Sequence, residues 1–195
     1  MSSNDAEIHG SLRALALPRR AVLHMGFVAG ISAGLGHLAE AAQRSPRNAD
    51  VALLNAALAL EHQAIAAYDA GVGTGLLKGE TLELARHFQS QHRAHRDLLV
   101  GEIRKLGGTP AVALASYTFK GKDDAPIEFR TAEDVLVFAL GLEGGAASAY
   151  LGLLPQLTSR AMLSTIAGIA CDEAQHVAAI RLLMRQQPAP DAVVR

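Results

Sequence analysis

Residues 60–68 read LEHQAIAAY and residues 142–150 read LEGGAASAY, so the two segments align without gaps on the pattern L-E-x-x-A-x-x-A-Y. The repeat extends further along the chain, because His92 follows Glu61 by 31 residues and Glu173 follows Glu143 by 30. Two matching halves, each with an acidic residue among helix-forming alanines and leucines, predict a pair of related helical hairpins.

The composition indicates an all-α fold of a single domain. Half of the 195 residues are hydrophobic, 4% are aromatic and tryptophan is absent. Alanine and leucine favour helices, and the sequence contains no alternating runs of strand-forming residues. A net charge of −1 without a long basic run argues against a nucleic-acid partner. No apolar run reaches ~18 residues, which argues against a stable membrane span.

Capping and breaking residues delimit four helices within a domain that we place at residues 44–187. The predicted helices span residues 50–70, 79–106, 131–154 and 158–185. Asn48 or Asp50 is expected to cap the first helix after a polar linker. Thr131 and Asp134 have the spacing of a capping box at the start of the third helix.

The connections between these helices predict their topology. The turns within the first pair and within the second pair are short, so each pair should form an antiparallel hairpin. Residues 107–130 form a connection far longer than the median of ~4–6 residues. At ~3.3 Å per residue such a segment can cross the full height of a helical bundle. We therefore predict a four-helix bundle with one long crossover between the second and third helices.

Ionisable side chains interrupt the apolar stripe of every predicted helix near its middle. They are Glu61 in the first helix, His92 and His95 in the second, Glu143 in the third, and Glu173 and His176 in the fourth. Their neighbours at alternating steps of three and four residues are Leu, Ile, Phe and Tyr. All six side chains are therefore expected to face the core.

Such a group of buried carboxylates requires compensation. A lone buried carboxylate is costly, and three on one bundle axis repel each other unless cations lie between them. Residues spaced i, i+3 place two ligands on one helix face, as in His92-x-x-His95 and Glu173-x-x-His176. Together with Glu61 and Glu143 they fit the two-metal pattern of helical bundles, so we predict that all six residues bind metal.

With these motifs, residues 50–185 resemble the ferritin-like superfamily. The sequence is most similar to bacterial ferritin-like domain proteins with twin-arginine leaders, which are related to the rubrerythrin and desiccation-associated groups. The resemblance implies a ferritin-like four-helix bundle, a di-iron carboxylate site and, in active members, oxygen or peroxide chemistry. Five residues fall on the ligand positions of the family: Glu61, His95, Glu143, Glu173 and His176.

His92 departs from this pattern, because the family normally has glutamate at its position. Glutamate can bridge two metal ions, whereas an imidazole cannot do so in the same way. Three negatively charged carboxylates would then face two divalent ions with a total charge of +4. Either an exogenous anion restores the charge balance, or one ion binds well and the second binds weakly. We expect two iron ions, with zinc or manganese as alternatives, and a mononuclear or mixed site remains open.

Four residues near this centre have structural interpretations. We interpret Tyr68 and Tyr150 as core residues with satisfied hydroxyls, the alternative being hydrogen bonds to ligands or electron relay. Cys171 is expected to be a structural thiol and, as the single cysteine, excludes an internal disulfide. Asp172 is expected to be solvated, with a hydrogen bond to a histidine ligand as the alternative.

The two ends of the chain lie outside the predicted bundle. Residues 18–24 read PRRAVLH and precede a weakly apolar segment and the small-x-small sequence AEA at 39–41. Residues 1–43 therefore resemble a twin-arginine export signal, which predicts a periplasmic protein. The alternative is an extra N-terminal helix packed on the bundle of a cytoplasmic protein. Residues 188–195 are predicted to form a flexible tail.

Three functions are compatible with these features. The leading hypothesis is a metal-binding protein with oxidase, peroxidase or iron-handling activity, whose enzymatic status stays open. The alternatives are a metal-free structural or stress-protection bundle and a cage-forming iron store, against which an export signal argues. A redox-active form would act on O2 or peroxide and, lacking rubredoxin-like cysteine pairs, would need a separate electron donor. A homodimer is compatible with the sequence.

Overall fold

The computed structural model describes residues 46–121 and 124–190, and these form four long α-helices. The helices are α1 (Pro46–Gly73), α2 (Gly79–Lys105), α3 (Ala132–Leu153) and α4 (Arg160–Leu183), with a 3₁₀ turn at Leu154–Gln156 before α4. Within the described residues, β-structure is limited to an isolated bridge between Lys120 and Pro126. The predicted all-α fold is therefore confirmed.

The helices pack as two hairpins. Helix α1 packs chiefly on α2, and α3 packs chiefly on α4, while α1–α3 and α2–α4 contacts hold the hairpins together. The connection between α2 and α3 is long and irregular, which agrees with the predicted crossover. The predicted leader at residues 1–43 and the last five residues of the predicted tail, 191–195, lie outside the described residues.

The apolar core consists of two clusters rather than one. One cluster includes Leu58, Leu99 and Ile166, and the other includes Phe88 and Ile180. Along every helix, members of one cluster precede the ionisable stripe residues and members of the other cluster follow them. The ionisable residues therefore lie between the two clusters. The core thus surrounds the polar centre with apolar side chains that exclude water.

Helix α1 begins earlier than predicted, and Asp50 is not its N-cap. The helix starts at Pro46, where the fixed φ of proline suits a first helical turn. Asp50 is 2% exposed, and its carboxylate accepts hydrogen bonds from Thr158 N (2.9 Å), Thr158 Oγ1 (2.8 Å) and Ser159 N (3.1 Å). Asp50 therefore ties α1 to the start of α4, which begins two residues later than predicted.

The predicted capping box of α3 is present. Thr131 Oγ1 accepts a hydrogen bond from Asp134 N at 3.1 Å, and Asp134 Oδ2 accepts one from Thr131 N at 2.8 Å. These reciprocal bonds satisfy two backbone N–H groups that have no partner within the helix. The start of α3 is therefore determined by local sequence.

One described segment, Ala132–Gln156, is long and apolar enough to cross a membrane by length and composition alone. The core helices of proteins that do not span membranes pass the same test. Here α3 packs along α4 and carries the fully buried Glu143 at its middle. We therefore interpret α3 as a core helix of the bundle.

Replacing Asp50 with alanine should lower the free energy of unfolding by about 2 kcal/mol, because two backbone N–H groups and a hydroxyl lose their acceptor. Urea unfolding monitored by circular dichroism measures the change. Asp97→Ala is the control, since Asp97 is exposed and pairs with the adjacent Arg96, so its effect should stay within about 0.5 kcal/mol. Equal effects of the two substitutions would contradict the tertiary role of Asp50.

Candidate metal centre

The six ionisable side chains predicted from the sequence meet between the two apolar clusters. The exposed fraction is 0% for Glu143 and Glu173 and 7% for His95, the most exposed of the six. They come from all four helices, and the spacing of each helix directs them inward. The structure therefore brings together every residue that the sequence analysis selected.

The six side chains form two overlapping sets of potential ligands. Glu61 and His95 belong to the first set, Glu143 and His176 belong to the second, and both sets include His92 and Glu173. Within each set, one donor atom per residue lies within 4.8 Å of the others. Buried carboxylate and imidazole groups at this spacing could hold a metal ion.

His92 lies at the centre of the cluster and contacts two carboxylates through its two ring nitrogens. Its Nδ1 atom is 2.9 Å from Glu61 Oε2, and its Nε2 atom is 3.3 Å from Glu143 Oε1. Glu143 Oε2 lies 3.2 Å from His176 Nδ1. Imidazole groups therefore connect the carboxylates of the two hairpins.

The two tyrosines of the repeat donate hydrogen bonds to these carboxylates. The Tyr68 hydroxyl of α1 donates to Glu143 of α3, and the Tyr150 hydroxyl of α3 donates to Glu61 of α1. Their hydroxyls are satisfied, as predicted, but their acceptors are the predicted ligands. Both tyrosines are thus buried core residues with satisfied hydroxyls, and each also makes the hydrogen bond of the alternative prediction, to a carboxylate of the opposite hairpin.

Two further residues orient the outer histidines. Asp172 Oδ2 lies 3.1 Å from His95 Nε2, and Gln91 Oε1 lies 3.0 Å from His176 Nε2. Both leave the Nδ1 atom of the histidine directed at the centre, an arrangement typical of metal-binding histidines.

The predictions for this outer layer need two corrections and one addition. Asp172 is partly exposed but makes the hydrogen bond that was the alternative prediction. Cys171 is exposed and therefore not the structural thiol that we predicted. Gln91 was missed, although the repeat places it opposite Asp172, since each directly precedes a centre residue, His92 or Glu173.

Several buried atoms of the centre have no hydrogen-bond partner. Within the described residues, four buried side-chain atoms lack a partner: three belong to the centre, namely His95 Nδ1 and both carboxylate oxygens of Glu173, and the fourth is Arg181 Nε, which is not one of the six residues. The oxygens of Glu173 lie 3.3 Å from His95 Nδ1 and from His176 Nδ1, but the angles do not suit hydrogen bonds. Unpaired buried polar atoms are costly, so the donor set fits a cation that these lone pairs would bind.

The electrostatics of the centre favour protonated histidines while no cation is bound. Burial alone would lower the pKa of His92, but hydrogen bonds with Glu143 and Glu61 and the nearby carboxylate charges raise its pKa to about 11. Burial alone would also lower the pKa of His176, but hydrogen bonds with Glu143 and Glu173 and the charges of these carboxylates raise it to about 9. Protons on these imidazoles can therefore balance carboxylate charge.

The two carboxyl groups closest to His176 differ in their acidity. Burial alone would raise the pKa of Glu143, but hydrogen bonds from His176 and His92 hold it below its usual range. Burial raises the pKa of Glu173, and the neighbouring histidines do not fully offset this effect. The centre therefore contains one strongly ionised carboxylate, Glu143, and one carboxyl group, Glu173, that ionises less readily.

Comparisons with known proteins agree with this architecture. The sequence model of a family described as "Ferritin-like domain" matches residues 49–186. The crystal structure of a conserved hypothetical protein from Mycobacterium tuberculosis is similar, with a TM-score of 0.64 and 23% sequence identity over 76% of this chain and 99% of that chain. At this identity the similarity shows the fold alone. No functionally curated protein matches the sequence.

In the metal-free protein, the free energy of unfolding should fall as the pH rises from about 7 to about 10. The folded-state pKa values of His92 and His176 lie above the ordinary value of 6.5, at about 11 and about 9. Their contribution to stability is complete below pH 6.5 and is lost as the pH rises through the folded-state values. Urea unfolding of chelator-treated protein at several pH values measures the slope.

His92→Gln should reduce this pH dependence, because it removes the group with the larger shift. His87→Gln is the matched control, since His87 lies on the same helix and is exposed, and it should leave the slope unchanged. A metal-free protein whose stability is constant or rises over this range would show that the histidines are not protonated in the centre.

Proposed function

The chain belongs to the ferritin-like domain family, and from this premise we propose that its buried Glu/His centre binds iron and supports oxidoreductase chemistry with oxygen or peroxide. One observation carries the proposal. Six side chains of metal-ligand type lie buried between the apolar clusters, and the buried donor atoms of His95 and Glu173 lack partners.

The chemistry of the donors supports iron as the ion. Glu61 and His95 would hold iron at one of the two positions, and Glu143 and His176 would hold it at the other. The two oxygens of Glu173 are directed toward both positions. Mixed carboxylate and imidazole donors suit Fe(II), and also Zn(II) and Mn(II). Bound iron would supply the one-electron chemistry that reactions of O2 and peroxide require.

The protein side chains around the ligands would maintain this geometry. Tyr68 and Tyr150 restrain the carboxylates of Glu143 and Glu61. Asp172 and Gln91 each bind the outer ring nitrogen of a histidine and so select the tautomer whose Nδ1 lone pair faces the centre. The ligands would therefore be oriented before an ion arrives.

A cavity of about 300 Å³ gives access to the centre from the surface. It lies between α2 and α4, where Gln91, Asp172 and His176 line it together with Phe88. Phe88 stacks on the His176 ring with 4.0 Å between ring centroids and covers one side of that histidine. The cavity is large enough for a small oxidant, whereas the apolar clusters close the centre along the bundle axis.

The cellular setting that we propose rests on the sequence alone. A twin-arginine leader at residues 1–43 would take the folded protein to the periplasm. A separate electron donor would complete a redox cycle, since the sequence has a single cysteine and no rubredoxin-like pairs.

A metal-free bundle is the second candidate, and one observation favours it. The imidazoles of His92 and His176 make close polar contacts with Glu61 and Glu143, so protonated histidines could compensate these carboxylates without a cation. The unpaired atoms of Glu173 and His95 favour the metal-binding proposal instead. Metal analysis separates the two candidates.

The double variant Glu61→Gln/Glu173→Gln should lose iron binding while it keeps its helical content, because amides of equal size replace two charged ligands. The metal-to-protein ratio after anaerobic dialysis against Fe(II) measures the loss. Wild-type protein should also gain thermal stability with added Fe(II), by mass action, and the variant should not.

The control is Glu83→Ala/Glu128→Ala, which removes two negative charges from exposed positions. It should retain the wild-type metal content. Full retention of iron in Glu61→Gln/Glu173→Gln, or no response of wild-type stability to iron or chelator, would favour the metal-free bundle.

Asp172→Asn should lower metal affinity by about 10- to 100-fold, the usual effect of losing the partner that orients a histidine ligand. Competition with a chromophoric chelator measures the affinity. Asp97→Asn makes the same change at an exposed position of α2 and should leave the affinity unchanged. Equal affinities of Asp172→Asn and wild type would show that His95 does not bind the ion through an Asp172-oriented ring.

A further inference from the structure

We propose that the two halves of the centre are unequal, so that one divalent cation binds tightly among Glu61, His92, His95 and Glu173. In this arrangement Glu143 and His176 remain hydrogen-bonded to protein groups. The inference rests on the metal binding proposed above and deepens it by assigning stoichiometry and position.

The unpaired donor atoms are concentrated in one half. His95 Nδ1 lacks a hydrogen-bond partner, and so do both oxygens of Glu173. His95 Nδ1 and Glu173 Oε1, which lie 3.3 Å apart, belong to the half that contains Glu61, whereas Glu173 Oε2 lies 3.3 Å from His176 Nδ1 and faces the other half. His95 and Glu173 are more than nine-tenths buried, so these atoms lie away from bulk solvent. A cation in the half of Glu61 would satisfy His95 Nδ1 and Glu173 Oε1.

The other half differs at its histidine, because His176 Nδ1 contacts Glu143 at 3.2 Å whereas His95 Nδ1 has no hydrogen-bond partner. The carboxylates of the two halves are hydrogen-bonded alike, since Glu61 accepts from Tyr150 and contacts His92. Glu143 Oε1 accepts from the Tyr68 hydroxyl and contacts His92 Nε2, while Glu143 Oε2 contacts His176 Nδ1. The remaining nitrogen of His176 is bound to Gln91. A cation held by Glu143 and His176 would have to displace the contact between His176 Nδ1 and Glu143, which has no counterpart at His95, so its net binding energy would be smaller.

His92 accounts for the asymmetry. The internal repeat makes His92 the counterpart of Glu173, whose two oxygens lie 3.3 Å from the Nδ1 atoms of His95 and His176 and so face both halves. The Nδ1 atom of His92 faces Glu61 at 2.9 Å and can bind a cation there once it has lost its proton. Its Nε2–H then donates to Glu143, 3.3 Å away, and occupies the place of a second bridging oxygen.

Charge balance gives the same result. One divalent cation opposes three carboxylates and leaves one negative charge within the set of side chains. Two divalent cations would leave one positive charge in a buried site, and this charge would need an anion from outside. The side chains present therefore neutralise one ion without help.

The outer partners of the histidines favour the same half. The carboxylate of Asp172 binds His95, whereas the uncharged amide of Gln91 binds His176. A carboxylate partner makes an imidazole a stronger donor to a cation. Of the two outer partners, the negatively charged one, Asp172, therefore lies in the half that contains the unpaired His95 Nδ1.

His92→Glu tests the inference, because it would restore the two-fold symmetry of the repeat with four carboxylates against a metal charge of four. Anaerobic equilibrium dialysis with Fe(II), and separately with Mn(II), should give one tight ion in wild type. A second ion should bind about 100-fold more weakly, since the contact between His176 and Glu143 must be displaced. In His92→Glu two ions should bind with similar affinity, and Mn(II) electron paramagnetic resonance should show magnetic coupling between them.

His87→Glu adds the same charge at an exposed position of α2 and should leave the stoichiometry at one.

A second pair of variants does not depend on the folding of His92→Glu. Glu61→Gln should abolish tight binding, whereas Glu143→Gln, the equivalent change in the other hairpin, should lower the affinity by no more than about tenfold, through loss of a nearby charge.

Two ions of equal affinity in wild-type protein would overturn the inference, and so would equal losses in Glu61→Gln and Glu143→Gln. Absence of any bound ion in wild type would instead overturn the proposed function. The two failures are therefore distinct.

Discussion

Three glutamates lie in the interior of this bundle, and their charge is the constraint on which the rest of the structure depends. Glu61, Glu143 and Glu173 are at most 1% exposed. Carboxylates in such an environment must be protonated, hydrogen-bonded or bound to cations. The surrounding side chains address this requirement directly, since two tyrosine hydroxyls and two imidazoles contact Glu61 and Glu143. The oxygens of Glu173 lie 3.3 Å from two imidazole nitrogens but accept no hydrogen bond, and Glu173 is therefore the residue at which the need for a cation is strongest.

The internal repeat explains how one chain supplies this environment. Each hairpin provides a tyrosine to the carboxylate of the other hairpin, and each provides a residue, Gln91 or Asp172, that binds a histidine of the other. These contacts cross between hairpins, so the polar centre joins the two halves in addition to apolar packing and the hydrogen bonds of Asp50. The symmetry is broken at two matched pairs, His92 against Glu173 and Gln91 against Asp172. The second difference leaves more negative charge near His95 than near His176, because Asp172 is a carboxylate and Gln91 is an uncharged amide.

The polar centre also affects the packing of the bundle. It divides the apolar core into two clusters, and both clusters exclude water from the centre while contributing the hydrophobic stabilisation. A cavity between α2 and α4 reaches His176 from the surface, and its lining is partly polar. Away from the centre, Asp50 joins α1 to the start of α4. The helix ends are thus held by tertiary hydrogen bonds as well as by local caps.

The sequence by itself determined the helical fold, the two hairpins with one crossover, the capping box at Thr131, and the six residues that meet in the core. These features depend on residue spacing along one helix, which sets the face on which a side chain lies. Only the tertiary structure decided the partners of Asp50, Gln91 and the two tyrosines, and it showed which donor atoms remain unpaired. Hydrogen bonds between helices depend on their relative rotation and height to within an ångström, and no single helix carries that information.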